Sequence, residues 1–204
     1  IKSTVLGGQS IARTAMAVEN EIKLRPVLNL IRQEYYSQCD NYVLALAQKV
    51  GILKSNAANT GKGSLNLSIH TEMSYFELGG LKLLFLPCEL FPELAYGGYL
   101  DADCSAEGKS PYINPAPLLR IAEDDNMLIF CLANDFTGYV VPPNDFYLNP
   151  KEPYINGGRD RLDRRHYEET NSLGPETAPI IANVFADIMN TVNKTKTEAE
   201  KAIK

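Results

Sequence analysis

Four residues of this chain stand where polar chemistry meets the end of an apolar run. Glu89 closes the stretch Leu81-Lys82-Leu83-Leu84-Phe85-Leu86-Pro87-Cys88, Asn134 and Asp135 close Met127-Leu128-Ile129-Phe130-Cys131-Leu132-Ala133, and Tyr139 follows shortly after. A carboxylate at the end of a buried strand can ligate a metal or act as a general base. It can equally cap a following helix, and Pro92 is placed to open one. Asn134 and Asp135 can simply close a turn, and Tyr139 can be a core aromatic whose hydroxyl is satisfied. Glu89 and Asp135 together would make an acid/base pair if both reach one substrate atom. His166 follows the arginine-rich run Arg159–Arg165 and precedes Glu168-Glu169, so it sits either over the same site or in an orienting or surface role. His70 falls on the polar phase of an alternating segment and reads as structural or exposed. One such histidine is too few for a catalytic zinc, which takes about three protein ligands. There is no Gly-rich phosphate loop and no Gly-x-Ser-x-Gly elbow.

For these residues to meet, two strands must deliver them to one sheet edge, as open α/β sheets present chemistry at the carboxyl ends of their strands. The Leu81 and Met127 runs are short, apolar and bounded by turn residues, which is the pattern of buried strands. Ahead of them, Leu65, Leu67, Ile69, Thr71, Met73 and Tyr75 alternate with mostly polar neighbours. That predicts a strand with one wet face, paired as a hairpin with the Leu81 strand through Gly79-Gly80. Val27–Tyr36 reads as a further strand. Helices are expected after Gly7-Gly8 (about 14 residues, stripe Ile11, Ala15, Val18, Ile22) and after an Asp40 cap, with Val43, Leu46, Ala47 and Val50 as the face and Gly51 as the stop. A last helix follows Gly174-Pro175, with Ile181, Val184, Phe185, Ile188, Met189 and Val192 buried. Residues 54–64, Tyr96–Pro117 and Val140–Gly158 read as loops, Leu118–Ala122 as a helical turn, and Arg159–Arg165 as a solvated charged face. The fold class is therefore α/β, a mixed β-sheet in layers flanked by helices, over residues 1–193, with 194–204 a fraying tail.

Composition narrows the function classes. The 204 residues are 45% hydrophobic and 22% charged, an ordinary globular balance. A net charge of -5 argues against a nucleic-acid partner held through phosphates. No apolar run reaches membrane-spanning length, so no transmembrane segment is expected. The four cysteines (Cys39, Cys88, Cys104, Cys131) have no metal-type spacing, and Cys88 and Cys131 read as buried thiols. The chain opens at Ile1 without an initiator Met or signal peptide, which reads as a processed product or a fragment.

Three segments in order carry a family resemblance. Leu86-Pro87-Cys88-Glu89-Leu90-Phe91-Pro92-Glu93-Leu94 resembles the Gly-Glu-Leu-Phe-Pro-Glu-Leu stretch of the neutral/alkaline (non-lysosomal) ceramidases, especially bacterial members. Leu132-Ala133-Asn134-Asp135-Phe136-Thr137-Gly138-Tyr139 resembles that family's Ala-Asn-Asp…Gly-Tyr segment. The stretch from His166-Tyr167-Glu168 to Gly174-Pro175 resembles its Tyr-Glu…Gly-Pro segment before the last helix of the catalytic domain. The likeness spans roughly residues 80–192, and the first helix fits the one after the family's Gly-Asp motif.

The resemblance implies a zinc-dependent amidase acting on ceramide-like lipids or related amides. In that family two histidines, a glutamate and a tyrosine hold the metal; Glu89 matches the glutamate and Tyr139 the tyrosine, with Phe136 where members often carry another aromatic. Tyr139 would also help stabilise the developing oxyanion. Two features depart from the pattern: Cys88 replaces the glycine before the glutamate, and nothing here matches the two histidines. The resemblance thus makes this chain the C-terminal portion of a larger catalytic domain. It implies an N-terminal half as partner, supplied as another chain or as preceding sequence, and an extracellular or cell-surface location. The other reading is a non-catalytic binding module that keeps the fold.

Overall fold

The computed structural model describes residues 28–106, 108 and 114–203. The helix expected around Ile11, Ala15, Val18 and Ile22 lies outside the described residues. The backbone of the sheet is β3 (Leu67–Leu78), the longest strand. Its alternation has the phase read from the sequence, with Ile69, Thr71, Met73 and Tyr75 turned to the core. Strand β1 (Leu28–Gln38) pairs antiparallel with β3 along its whole length, from Leu28↔Leu78 to Gln38↔Ser68. On the other flank, β2 (Ala57–Asn59) covers the start of β3 and β4 (Leu81–Phe85) covers its end. β2 lies inside the segment expected to be pure loop. Gly79 and Gly80 both have positive φ (59° and 103°), the backbone a tight two-residue hairpin demands.

β6 (Leu128–Phe130) then joins β4 in parallel, Leu83↔Leu128 to Phe85↔Phe130. The crossover between them carries two short helices, α2 (Pro92–Tyr96) and α3 (Leu118–Ala122). The protein is thus an α/β fold around a mixed five-stranded sheet. The parallel β4–β6 pairing brings the Leu81 and Met127 runs side by side. The final helix, α4 (Thr177–Ile203), lies over one sheet face. Its Ile181, Phe185, Ile188, Met189 and Val192 pack with Met73, Tyr75, Leu84 and Leu86. Helical backbone continues past Asn193 to Ile203. No helix of the described residues is long and apolar enough to cross a membrane. The other sheet face keeps Leu28, Leu30, Leu128 and Phe130 exposed, with Phe85 stacked on Phe130 at 5.0 Å and edge-on to Phe76 at 5.3 Å.

Helix α1 (Tyr42–Lys49) corrects two expectations. Its cap is Asn41, whose side chain accepts from the N–H groups of Val43 and Leu44; Asp40 instead accepts from Gln38. Asn41 is fully buried and also donates to the carbonyls of Thr170 (3.1 Å) and Ser172 (3.0 Å). That anchor sets the rotation of the helix, so Ala45 and Leu44 turn inward while Leu46 and Val50 point to solvent. Removing the cap and leaving two carbonyls without their donor makes Asn41→Ala lower stability by about 2 kcal/mol, read as the shift in urea midpoint at constant slope.

Two further expectations change. Cys131 is exposed rather than buried, because the ladder ends at Phe130 and positive φ at Leu132 and Asn134 turns the chain outward. The Arg159–Arg165 run is not uniformly solvated. It forms the hairpin of β8 (Gly158–Arg159) and β9 (Arg165–His166), which sends Asp160 and His166 inside.

Candidate active site

After Pro87, which has no N–H to give a ladder, the β4 chain resumes as a two-residue strand, β5 (Glu89–Leu90). It pairs in parallel with β7 (Tyr139–Val140), and Glu89 and Tyr139 are register partners. Hydrogen bonds Glu89 N–H to Gly138 O (3.0 Å) and Phe91 N–H to Val140 O (3.1 Å) hold the pair. Thr137 clamps the entry, its hydroxyl and its N–H both donating to the Pro87 carbonyl. Register partners present their side chains on the same side of the pleat. Glu89 and Tyr139 accordingly line one open cavity of about 320 Å³ with Leu90, Phe91, Pro92 and Cys131.

Tyr167 completes the cluster. Its hydroxyl is 3.4 Å from that of Tyr139, and the rings meet edge-on at 5.8 Å. The hydrogen bond with Tyr167, and then that with the Glu89 carboxylate, raises the Tyr139 pKa well above its ordinary 10. Tyr139 thus stands between a carboxylate and a second phenol. In the sequence Tyr167 stood out only as a member of the His166-Tyr167-Glu168 stretch that carries the family resemblance, with no role attached to it. His166, the last residue of β9, turns inward, while Tyr167, one residue past the strand in helical backbone, stays outward.

The structure does not bring His166 or Asp135 into this cluster. Both ring nitrogens of His166 face carboxylates, Nδ1 at 2.7 Å from Glu169 and Nε2 at 3.2 Å from Asp160. Arg164 bridges Asp160 and Asp145, each at 2.7 Å. Asp135 accepts from the Thr71 hydroxyl (3.1 Å) and the Phe136 N–H (2.8 Å), and it lines cavities that do not include Glu89. Asn134 donates to Glu72 at 3.1 Å. This placement counts against an acid/base pair of Glu89 with Asp135. His70, on the outward face as its phase implied, stacks on Tyr36 at 4.8 Å and reaches Glu34 at 3.3 Å. Cys88 is fully buried, and burial above all pushes its thiol pKa up, so it is an inert packing residue.

The His166 cluster makes stability depend on pH. Burial disfavours the imidazolium, but Glu169 and then Asp160 outweigh it and raise the His166 pKa above 6.5. Burial likewise opposes Asp160 ionisation. The Arg164 N–H and guanidinium, His166 and the Leu162 N–H outweigh it, holding this carboxyl well below its ordinary 3.8. A raised base stabilises the fold fully below its unfolded pKa, and that contribution is lost as pH rises through the folded value. A lowered acid does so above its unfolded pKa, and its contribution is lost as pH falls through the folded value. The stability gap between the wild type and His166→Asn is therefore widest near pH 6 and shrinks toward pH 9. Urea titrations across that range check it, and a gap independent of pH would contradict it.

The donor groups of the cluster are a carboxylate and a phenol oxygen side by side on the wall of one cavity. Among the described residues no group of three or more His, Cys, Asp or Glu side chains could hold a metal. Fold and site together define an α/β domain that presents a carboxylate–phenol pair from adjacent parallel strand ends. Compared with known proteins, the chain matches no family model, no curated protein and no solved structure.

Proposed function

We propose that this chain is the C-terminal part of a zinc-dependent amide hydrolase resembling the neutral ceramidases, acting on the N-acyl bond of a ceramide-like lipid or a related amide. The observation that carries the reading is the Glu89↔Tyr139 register pair, two residues the resemblance names as zinc ligands and which lie fifty positions apart in sequence. Glu89 and Tyr139 would hold the metal together with two histidines from the N-terminal half. Bound there, zinc supplies an activated water and polarises the amide carbonyl. Tyr167 keeps a hydroxyl beside Tyr139 and is 54% exposed, so it is free to donate a hydrogen bond to an oxygen gaining charge. The apolar sheet face around Phe85 and Phe130 is the surface the N-terminal half would cover, since a sheet needs a layer on each apolar face.

A second reading, a binding module without catalysis, draws on the incomplete ligand set among the described residues. Assaying the chain joined to its N-terminal half on an N-acylsphingosine separates the two. Chelator-sensitive release of fatty acid that zinc restores supports the hydrolase. Lipid binding without release supports the module.

A further inference from the structure

A different surface carries an inference that does not depend on hydrolysis. The rotation of α1 set by Asn41 leaves Leu46 and Val50 outward at 53% and 61% exposure, and the turn after the helix adds Ile52 at 77% and Leu53 at 40%. These side chains are presented by ordered backbone. Val50 N–H bonds to Leu46 O (3.0 Å), and the N–H groups of Ile52 and Leu53 both bond to Ala47 O (2.9 and 3.1 Å). Gln48 closes the far side of the turn, its amide bonding the Ser55 N–H and carbonyl. The result is a rigid apolar knob flanked by exposed Lys49 and Lys54, in a chain whose net charge is -5. Under it opens a cavity of about 360 Å³, lined among others by Leu44, Leu53, Ile69 and Phe136, with Phe136 62% exposed at its mouth.

We propose that this knob is a lipid-surface anchor: Leu46, Val50, Ile52 and Leu53 enter the acyl boundary of a membrane while Lys49 and Lys54 meet anionic headgroups. Apolar side chains at the tip of an ordered helix–turn with lysines on both sides are the arrangement by which interfacial elements bind anionic lipid. Lys49 and Lys54 give the knob a local positive charge that anionic headgroups complement, in a chain whose net charge is -5. The cavity beneath gives an apolar group drawn from the lipid phase a place to go.

The chain contains no tryptophan, so Ile52→Trp gives a single reporter. The probe is a vesicle of phosphatidylcholine with phosphatidylglycerol. Expected is co-sedimentation that weakens with salt and with falling phosphatidylglycerol, and a blue shift of Trp emission on binding. Val50→Asp with Ile52→Asp should weaken binding at least about tenfold, and Lys49→Glu or Lys54→Glu about fivefold or more each. Leu128→Asp, on the open sheet face, should leave binding unchanged. The proposal is overturned if the chain ignores anionic vesicles or if Ile52→Trp binds without a blue shift. It is overturned equally if Leu128→Asp rather than the knob variants abolishes binding. Because vesicle binding is read without turnover, a failure here and a failure of the amidase reading are separate results.

Discussion

Gly138→Ala is expected to lower folding stability by about 3 kcal/mol and to displace Tyr139 from Glu89. Gly138 has φ of +88°, a region L side chains rarely adopt. A Cβ there would overlap the Asn171 carbonyl oxygen and approach its carbon to 3.1 Å and Ser172 Cα to 3.4 Å. All of these are backbone atoms, and they cannot easily give way, because Asn41 ties the flanking Thr170 and Ser172 carbonyls to the start of α1. On the other side, the Gly138 carbonyl is the acceptor for Glu89 N–H, so any shift propagates into the site pair. Gly80→Ala is the control. It has φ of +103° but nothing within 4 Å, so it should cost only the conformational term, about 1 kcal/mol. Urea unfolding of both variants checks the difference, and equal midpoint shifts would mean that the Asn171 wall does not press on Gly138.

This contact also shows what could be read from the residues alone and what could not. The sheet was legible because β3 alternates with a clear period and the Leu81 and Met127 runs are bounded by turn residues. The last helix was legible because its stripe from Ile181 to Val192 keeps helical spacing. Glu89 was legible as a carboxylate where the Leu81 run gives out and Tyr139 as an aromatic shortly past the Met127 run, while their register, fixed by Thr137 on Pro87 and by the positive φ of Gly138, comes from tertiary contacts with no local pattern. Asn134 and Asp135 have the same sequence position relative to a strand as Glu89, yet the left-handed turn at Leu132 and Asn134 carries them to Glu72 and Thr71 instead. The face of α1 was misread because Asn41, rather than amphipathic spacing, sets the rotation of the helix. His166 stood out by type, but it ends β9 facing inward, while Tyr167, one residue past the strand in helical backbone, is the side chain that reaches Tyr139.

The second large effect concerns the pair itself. On the proposed hydrolase reading, with the N-terminal half that reading requires, Glu89→Gln is expected to reduce amide hydrolysis by about 10³-fold or more, as removing a charged group from a reacting centre does. Glu89 is half-buried at the rim of an open cavity, so the substitution should leave the unfolding midpoint nearly unchanged. Tyr167→Phe keeps the edge-on packing on Tyr139 and removes only a hydroxyl, so a smaller loss of about 10- to 100-fold, in kcat rather than KM, is expected. Asp135→Asn should change turnover little, because Asp135 is committed to Thr71 and the Phe136 N–H. A loss for Asp135→Asn as large as that for Glu89→Gln would restore the metal-free acid/base alternative.

The most direct measurement is the zinc content of that same protein, purified with and without Glu89→Ala and Tyr139→Phe and determined by elemental analysis against protein concentration. The account predicts about one zinc per wild-type molecule, most of it lost in Glu89→Ala and a weakened, chelator-labile fraction in Tyr139→Phe. Zinc content unchanged by Glu89→Ala would contradict it, because Glu89 would then hold no metal and its pairing with Tyr139 would be structural.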